Sequence, residues 1–288
     1  MTSHTLKFVR EVTDMAHEEG LRVLVEVHAH FSQQQAVAPL VDLVYDFALA
    51  PLILHSLGTG SVDRLLEWLQ IRPTNAVTVL DTHDGIGVID AGPVGELPGL
   101  LTTEEMRAIF DNAAKLTEGV SARASNPVAW AGLPHQINST FYSVLGQDDT
   151  AYLLARAVQL LVPGEPQIYY VGLLAGTNDV ALFEQTGVGR DVNRHRYTPD
   201  EVTAALQRAV VRAVLGLVRL RSNHPAFTGS FSCAGLSESS LVLRWRRGEQ
   251  RVELEVQTDR QRPRFRLLWT DGAAERAACS VAELAALA

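Results

Sequence analysis

Two periods of hydrophobic position alternate along the chain. Over residues 3–19, Leu6, Val9, Val12, Met15 and Ala16 recur at helical spacing. Lys7, Arg10, Glu11, Asp14 and Glu18 fall between them, and Gly20 stands where a helix cap belongs. Leu21-Arg22-Val23-Leu24-Val25-Glu26-Val27-His28 follows at once as a strand. Helix, one glycine, then buried strand is the rhythm of a parallel α/β fold. Further strands are predicted at 42–48, 76–82 and 167–171. Helices begin between Pro51 and His55 and behind Ser61, where Val62, Leu65, Leu66 and Leu69 keep the period. Others cover 149–162, ended by Pro163-Gly164, and run from the Thr198-Pro199-Asp200-Glu201 capping box to about Ser222.

Two stretches break the rhythm. Residues 86–134 hold a Gly/Pro-rich loop, a helix capped by Thr102-Thr103-Glu104-Glu105 and reaching about Leu116, and a small, polar tail that includes Pro127 and Pro134. An irregular insert of that length behind a strand reads as a lid or substrate loop. Residues 173–196 form a second polar loop. From Gly229 the pattern turns to short alternating runs at 240–245, 252–256 and 264–269, which read as a small antiparallel β domain.

Composition narrows the function classes. The 288 residues are 47% hydrophobic and 20% charged, as expected of a globular protein. The net charge of −8 argues against nucleic acid or an anionic membrane as partner. Two cysteines, Cys233 and Cys279, supply no disulfide framework, and a reducing, cytoplasmic location is expected. Met1-Thr2-Ser3-His4 runs into a charged helix pattern in place of a signal peptide. The most apolar stretch, around Phe47 to Leu57, is too short to span a bilayer.

The chemistry concentrates at Val77-Thr78-Val79-Leu80-Asp81-Thr82-His83-Asp84-Gly85. Carboxylates and an imidazole crowd the end of a buried strand, where parallel α/β folds place their sites; a buried capping aspartate with His83 as partner fits the pattern equally. Glu26 lies near the end of the first strand. Val25 and Val27 flank it, and burial of that kind favours a protonated acid. His28 and His30 are spaced to bind a metal, but the run has no third ligand nearby, so no metal site is expected.

Longer runs carry a family resemblance. They are Leu24-Val25-Glu26-Val27-His28, Leu80-Asp81-Thr82-His83-Asp84-Gly85-Ile86-Gly87-Val88, Gln136 to Tyr142, Pro166 to Gly176, and Gly189-Arg190-Asp191-Val192-Asn193-Arg194-His195. Together they resemble the α-amylase superfamily of glycoside enzymes, and within it the sucrose phosphorylase family. The resemblance implies an α/β fold: the second half of a (β/α)8 TIM barrel (residues 1–85 and 135–228), with an inserted loop domain (86–134) and a C-terminal antiparallel β domain (229–288). It implies retaining glucosyl transfer from sucrose, or sucrose 6′-phosphate, to inorganic phosphate, giving α-D-glucose 1-phosphate and fructose or fructose 6-phosphate.

The resemblance also implies residue roles. Glu26 would be the acid/base and Asp84 the transition-state stabiliser. His83 and Arg190 would bind the glucosyl unit. Leu133, His135 and Gln136 lie in the acceptor loop, where family members carry Asp-Leu-Tyr-Gln and this chain has Leu133-Pro134-His135-Gln136. That departure weakens plain fructose as acceptor and favours its phosphate. The family's nucleophilic aspartate lies on a strand ahead of the helix that opens this chain, and no residue here takes that role. The 288 residues alone are therefore expected to be inactive and poorly folded, with a homodimer as the escape. No cofactor is implied. Alternatives are a phosphorylase or hydrolase acting on another α-glucoside, or a non-catalytic sugar-binding chain.

Overall fold

The computed structural model describes residues 3–126 and 132–288; Pro127, with the rest of 127–131 of the insert, lies outside them. Helix α1 (Ser3–Glu18) leads to strand β1 (Leu24–Val25), helix α2 (Phe31–Val37) and strand β2 (Leu43–Asp46). Helices α3 (Leu49–Thr59) and α4 (Asp63–Ile71) precede β3 (Ala76–Thr78). The insert opens with β4 (Ile86–Gly87), continues through α5 (Thr103–Leu116) and α6 (Val120–Ala124), and returns as β5 (Gln136–Ile137), antiparallel to β4. The short α7 (Phe141–Val144) and the long α8 (Asp149–Leu161) then lead to β6 (Glu165–Pro166).

Strands β1, β2, β3 and β6 form one sheet in that order, all parallel, with helices in the crossovers. Three of the four strands expected from the pattern are present, each shorter than expected, and the fourth strand of the sheet pairs just ahead of the place expected. Residues 167–171 are not a strand: the pairing ends at Pro166, and Tyr170–Leu173 is a single helical turn, α9. The short ladders change one expectation. Each outer edge offers only two residues, and on β6 one of the two is a proline without an N–H, so edge-to-edge pairing has little to grip.

Helix α3 is buried from Leu49 through Ser56, and α8 from Ala151 through Leu161. A helix apolar all round belongs at the centre of a fold. Asp46, at the end of β2, accepts from the backbone N–H of Leu49 (3.1 Å), Trp68 Nε1 (3.0 Å) and Arg72 Nε (2.7 Å). It starts α3 and ties α4 to the sheet. Helix α1 shows a rotated face. Thr13 is buried and Val9 and Ala16 are half-buried, while Phe8, Val12 and Met15 are exposed, Phe8 by 64%.

The polar loop after α9 contains helix α10 (Val180–Thr186) and a 3-10 turn at Gly189–Asn193. The single helix expected over 198–222 is two: α11 (Pro199–Ala205), with its Thr198/Glu201 capping box, and α12 (Ala209–Asn223). Strands β7 (Ser230–Ser237), β8 (Ser240–Arg247), β9 (Gln250–Gln257), β10 (Arg264–Asp271) and β11 (Ala274–Ala278) form an antiparallel meander, and α13 (Val281–Ala285) packs on α12. The meander shares one core with the α/β part. Leu243, Trp245, Leu254 and Leu267 join the cluster that holds α3 and α8, and Trp245 Nε1 donates to Leu161 O at 2.6 Å.

Candidate active site

The chain turns sharply just past β3. Thr82 N donates to Gly85 O (3.0 Å) and Gly85 N to Thr82 O (3.2 Å), which closes a four-residue loop with His83 and Asp84 at its tip. Gly85 has φ +120°, and a Cβ there would stand 2.5 Å from Ile137 O in β5. Only glycine meets both demands. Gln136, also in β5, donates from Nε2 to Asp84 O and to Asn138 Oδ1 (2.9 Å), so the acceptor-loop side holds the aspartate's backbone in place.

The carboxylates of this motif part company. Asp81 is buried and pairs with Arg156 Nη2 at 2.6 Å; Arg156 is itself 0% exposed. Tyr152 Oη accepts from Arg156 Nε (2.9 Å), Gln159 Oε1 accepts from Nη1 (2.8 Å), and Gln159 ties on to Thr78 O and Gln167 O. This network braces β3 against α8. Burial drives the Tyr152 phenol far above its ordinary pKa, with Asp81 adding to the rise. Asp81 is therefore structural, and Asp84 is the carboxylate that remains available.

Asp84 Oδ1 meets Arg190 Nη1 at 2.7 Å, Arg194 Nη2 at 3.3 Å and His83 Nε2 at 3.4 Å. Arg194 Nε also donates to His83 O (2.8 Å), and Asn193 Nδ2 to Thr82 O (3.1 Å) and His83 O (3.3 Å). The 3-10 turn at Gly189–Asn193 thus clamps the Asp84 loop. Arg190 was expected here; Arg194 and Asn193 were not, although they stand in the same run, because spacing alone does not separate a sugar-facing arginine from a bracing one.

Glu26 lies beyond β1 with its side chain 55% exposed. The expected burial between Val25 and Val27 is not observed, because β1 is an edge strand and residues 26–30 leave the sheet at once. Glu26 Oε1 lies 3.0 Å from His28 Nε2. The His28 ring stacks on Phe47, centroids 4.0 Å apart, and meets His135 edge-on at 5.3 Å. One small cavity is lined by His28, Phe47, Asp84, Gly87 and Gln136; Asp84 borders it directly, whereas Glu26 is not in its wall and touches it only through its contact with His28.

His30 is not a partner of His28: its ring bonds Ser32 Oγ (2.7 Å) and Pro98 O (3.0 Å). The third group that the local run lacked comes from elsewhere, since Asp90 and His135 converge on His28. Burial opposes charging His28, but Asp90 and Glu26 outweigh it and raise its pKa. Burial, with His28 and Arg190 nearby, lowers that of His135 against the pull of Asp90. Leu133, expected to face the acceptor, packs in the core at 8% exposure, which leaves its side chain little to offer a ligand.

The chain is similar in sequence and in fold to several phosphorylases. The sucrose phosphorylase of Agrobacterium vitis is 46% identical over 257 residues, covering 89% of this chain and 53% of that protein. The glucosylglycerol phosphorylase of Marinobacter adhaerens is 42% identical over 246 residues, 85% of this chain and 50% of that one. The crystal structure of sucrose 6F-phosphate phosphorylase from Thermoanaerobacter thermosaccharolyticum superposes with a TM-score of 0.84 at 32% identity, over 97% of this chain and 56% of that chain. The α-amylase of H. orenii shares the fold at 13% identity, TM-score 0.54, over 88% of this chain and 47% of that one. No family model matches the chain.

The fold is that of the α-amylase group of α/β glycoside enzymes, with the five-stranded sheet as its small C-terminal β domain. Within that group the chain is a relative of the sucrose phosphorylase family, matching its C-terminal half. It spans about half the length of the curated relatives it matches. Among the described residues, no helix is long and apolar enough to cross a membrane.

Proposed function

We propose that this chain carries the acid/base and stabiliser side of a site for retaining glucosyl transfer: sucrose, or sucrose 6′-phosphate, plus phosphate gives α-D-glucose 1-phosphate plus the ketose. The observation that carries the reading is Asp84, presented on a glycine-closed loop at the end of β3 and held by Arg190, Arg194 and His83 beside a cavity shared with His28 and Gln136. Glu26 protonates the leaving ketose oxygen as the first glycosidic bond breaks, and Asp84 faces the positive charge that develops on the sugar. His83 and Arg190 orient the glucosyl unit. His135 and Gln136 border the acceptor, and the insert at 86–134 forms the lid.

Retaining transfer also needs a nucleophilic carboxylate about 5–5.5 Å from the acid/base. In this reading it comes from a segment ahead of α1 or from a partner chain. The exposed Phe8, Val12 and Met15 stripe supports such an association. Phosphorolysis of a different α-glucoside is the second reading, favoured by the 42% identity to glucosylglycerol phosphorylase and by a histidine where the family has tyrosine.

The test joins this chain to the non-matching half of the A. vitis relative and measures phosphate-dependent release of glucose 1-phosphate from sucrose, sucrose 6′-phosphate and glucosylglycerol. Glu26→Gln should slow transfer roughly 10²–10⁴-fold, and Asp84→Asn should lower kcat far more than it raises KM. A folded chimera inactive on all three donors, or wild-type turnover in Glu26→Gln, would refute the reading.

A further inference from the structure

Asp90 is the least satisfied side chain near the site. It lies in the 3-10 turn Ile89–Ala91 just past β4, is 0% exposed, and neither carboxylate oxygen has a hydrogen-bond partner. A buried, unpaired carboxylate is strongly unfavourable unless a positive charge answers it. The groups in front of it are imidazoles. His28 Nε2 sits 3.0 Å from a Glu26 oxygen, and the other ring nitrogen, Nδ1, is turned toward Asp90.

The Nδ1 to Asp90 Oδ2 distance is 3.8 Å. That is too long for a hydrogen bond. An ion with bonds of about 2.0–2.1 Å to nitrogen and oxygen would bridge them. His135 completes the set: one donor atom from each of His28, Asp90 and His135 lies within 4.8 Å of the other two.

We propose that His28 Nδ1, Asp90 and His135 form a binding site for a divalent transition metal of the zinc class. Two imidazoles with one carboxylate suit zinc, nickel or copper, whereas magnesium and calcium prefer all-oxygen sets. Glu26 then takes the outer place in a carboxylate–histidine–metal arrangement, fixing the tautomer and ring of His28. The stack of His28 on Phe47 limits how far that ring can swing away. The ligands come from the end of β1, the turn after β4 and the approach to β5, so an ion would tie the edge strand to the insert. The inference does not rest on the glucosyl-transfer reading. If both hold, metal and acceptor compete for His28 and His135.

The experiment uses the purified 288-residue chain and needs no turnover. Zinc is titrated calorimetrically, and cobalt is titrated by its visible absorption. One equivalent should bind with micromolar affinity, and cobalt should give the intense bands of a nitrogen-ligated site of low coordination number. Asp90→Asn and His135→Gln should each weaken binding at least about tenfold. His17→Gln, at the end of α1 where the ring pairs with Asp42, should leave it unchanged. Far-UV circular dichroism confirms that each variant is folded, and His135→Gln stands alone if Asp90→Asn is not. Absence of stoichiometric zinc binding, binding that both site variants leave intact, or equal affinity for magnesium would each overturn the proposal. So would nitrogen NMR showing His28 doubly protonated at pH 7 and unchanged by zinc.

Discussion

Replacing Asp81 by asparagine should destabilise the protein severely while leaving its shape unchanged. Arg156 is fully buried and Asp81 nearly so, and among the described residues their 2.6 Å contact is the only ion pair either makes. In Asp81→Asn the guanidinium keeps Tyr152 and Gln159 as neutral acceptors but loses its counter-charge. Breaking a buried pair from one side costs about 3–5 kcal/mol, a large part of the roughly 5–15 kcal/mol that holds a domain together. At about 2–4 °C per kcal/mol, the melting temperature should fall by some 6–20 °C.

Arg156→Gln should cost a similar amount, whereas Asp81→Asn with Arg156→Gln should cost clearly less than the two singles added, because no charge is then stranded. Urea unfolding of the four proteins closes the cycle. Asp84→Asn, three residues on, is the contrast. Its arginine partners are partly exposed, so solvent screening should hold the stability change to about 1 kcal/mol or less. An Asp81→Asn loss below about 1 kcal/mol, or strict additivity of the two singles, would refute the bracing role and reopen Asp81 as a residue of the site.

Other expectations follow from single contacts. Gly85→Ala should cost about 1–3 kcal/mol and detach the His83–Asp84 loop from β5, which fluorescence-detected unfolding and a heteronuclear NMR map of Ile137 and its neighbours would show. His195 Nδ1 lies 2.6 Å from Asp179 and Nε2 lies 3.3 Å from Glu201, a tie between the caps of α10 and α11. The hydrogen bond to Asp179 raises the His195 pKa above 6.5; His195, against opposing burial, lowers that of Asp179 below 3.8. The histidine contribution is therefore full below 6.5 and lost as pH rises through its raised pKa. The aspartate contribution is full above 3.8 and lost as pH falls through its lowered pKa. Hydrogen exchange in α10 and α11 should be slowest between those limits, and a flat profile would contradict the tie. Phe8→Glu with Met15→Lys should shift sedimentation toward monomer if the exposed α1 stripe mediates self-association.

The sequence was most legible where one rule acted alone. Capping boxes at Thr102–Glu105 and Thr198–Glu201 set helix starts to the residue. The glycine after Asp84 signalled a turn, and the turn is there. Strand lengths were not legible, because an apolar run such as Tyr169-Tyr170-Val171 suits a strand and a helical turn equally, and only pairing decides. The face of α1 was misjudged because Thr13 turns inward with its hydroxyl satisfied by Val9 O at 2.9 Å, so the nominally polar position packs and Met15 does not. The grouping of Asp84 with Arg190 and Gln136 was legible through the family resemblance. Arg194, Asn193 and the Asp90–His28–His135 convergence were not, because they depend on contacts between segments tens of residues apart. Glu26 shows the converse: its apolar neighbours in sequence do not bury a side chain on an edge strand.

The core shared by the α/β part and the terminal sheet sets a timetable for synthesis. Thr258 Oγ1 donates to Gly60 O across 198 residues, and Trp245 closes on Leu161 across 84. Helices α3 and α8 thus wait for strands that leave the ribosome long after them. At about 5–20 residues per second, Gly60 emerges some 10–40 seconds before Thr258. During that interval the central helices hold their apolar surfaces open in a crowded cell, and the nascent chain is a natural client for chaperones that bind such surfaces until the last strands arrive.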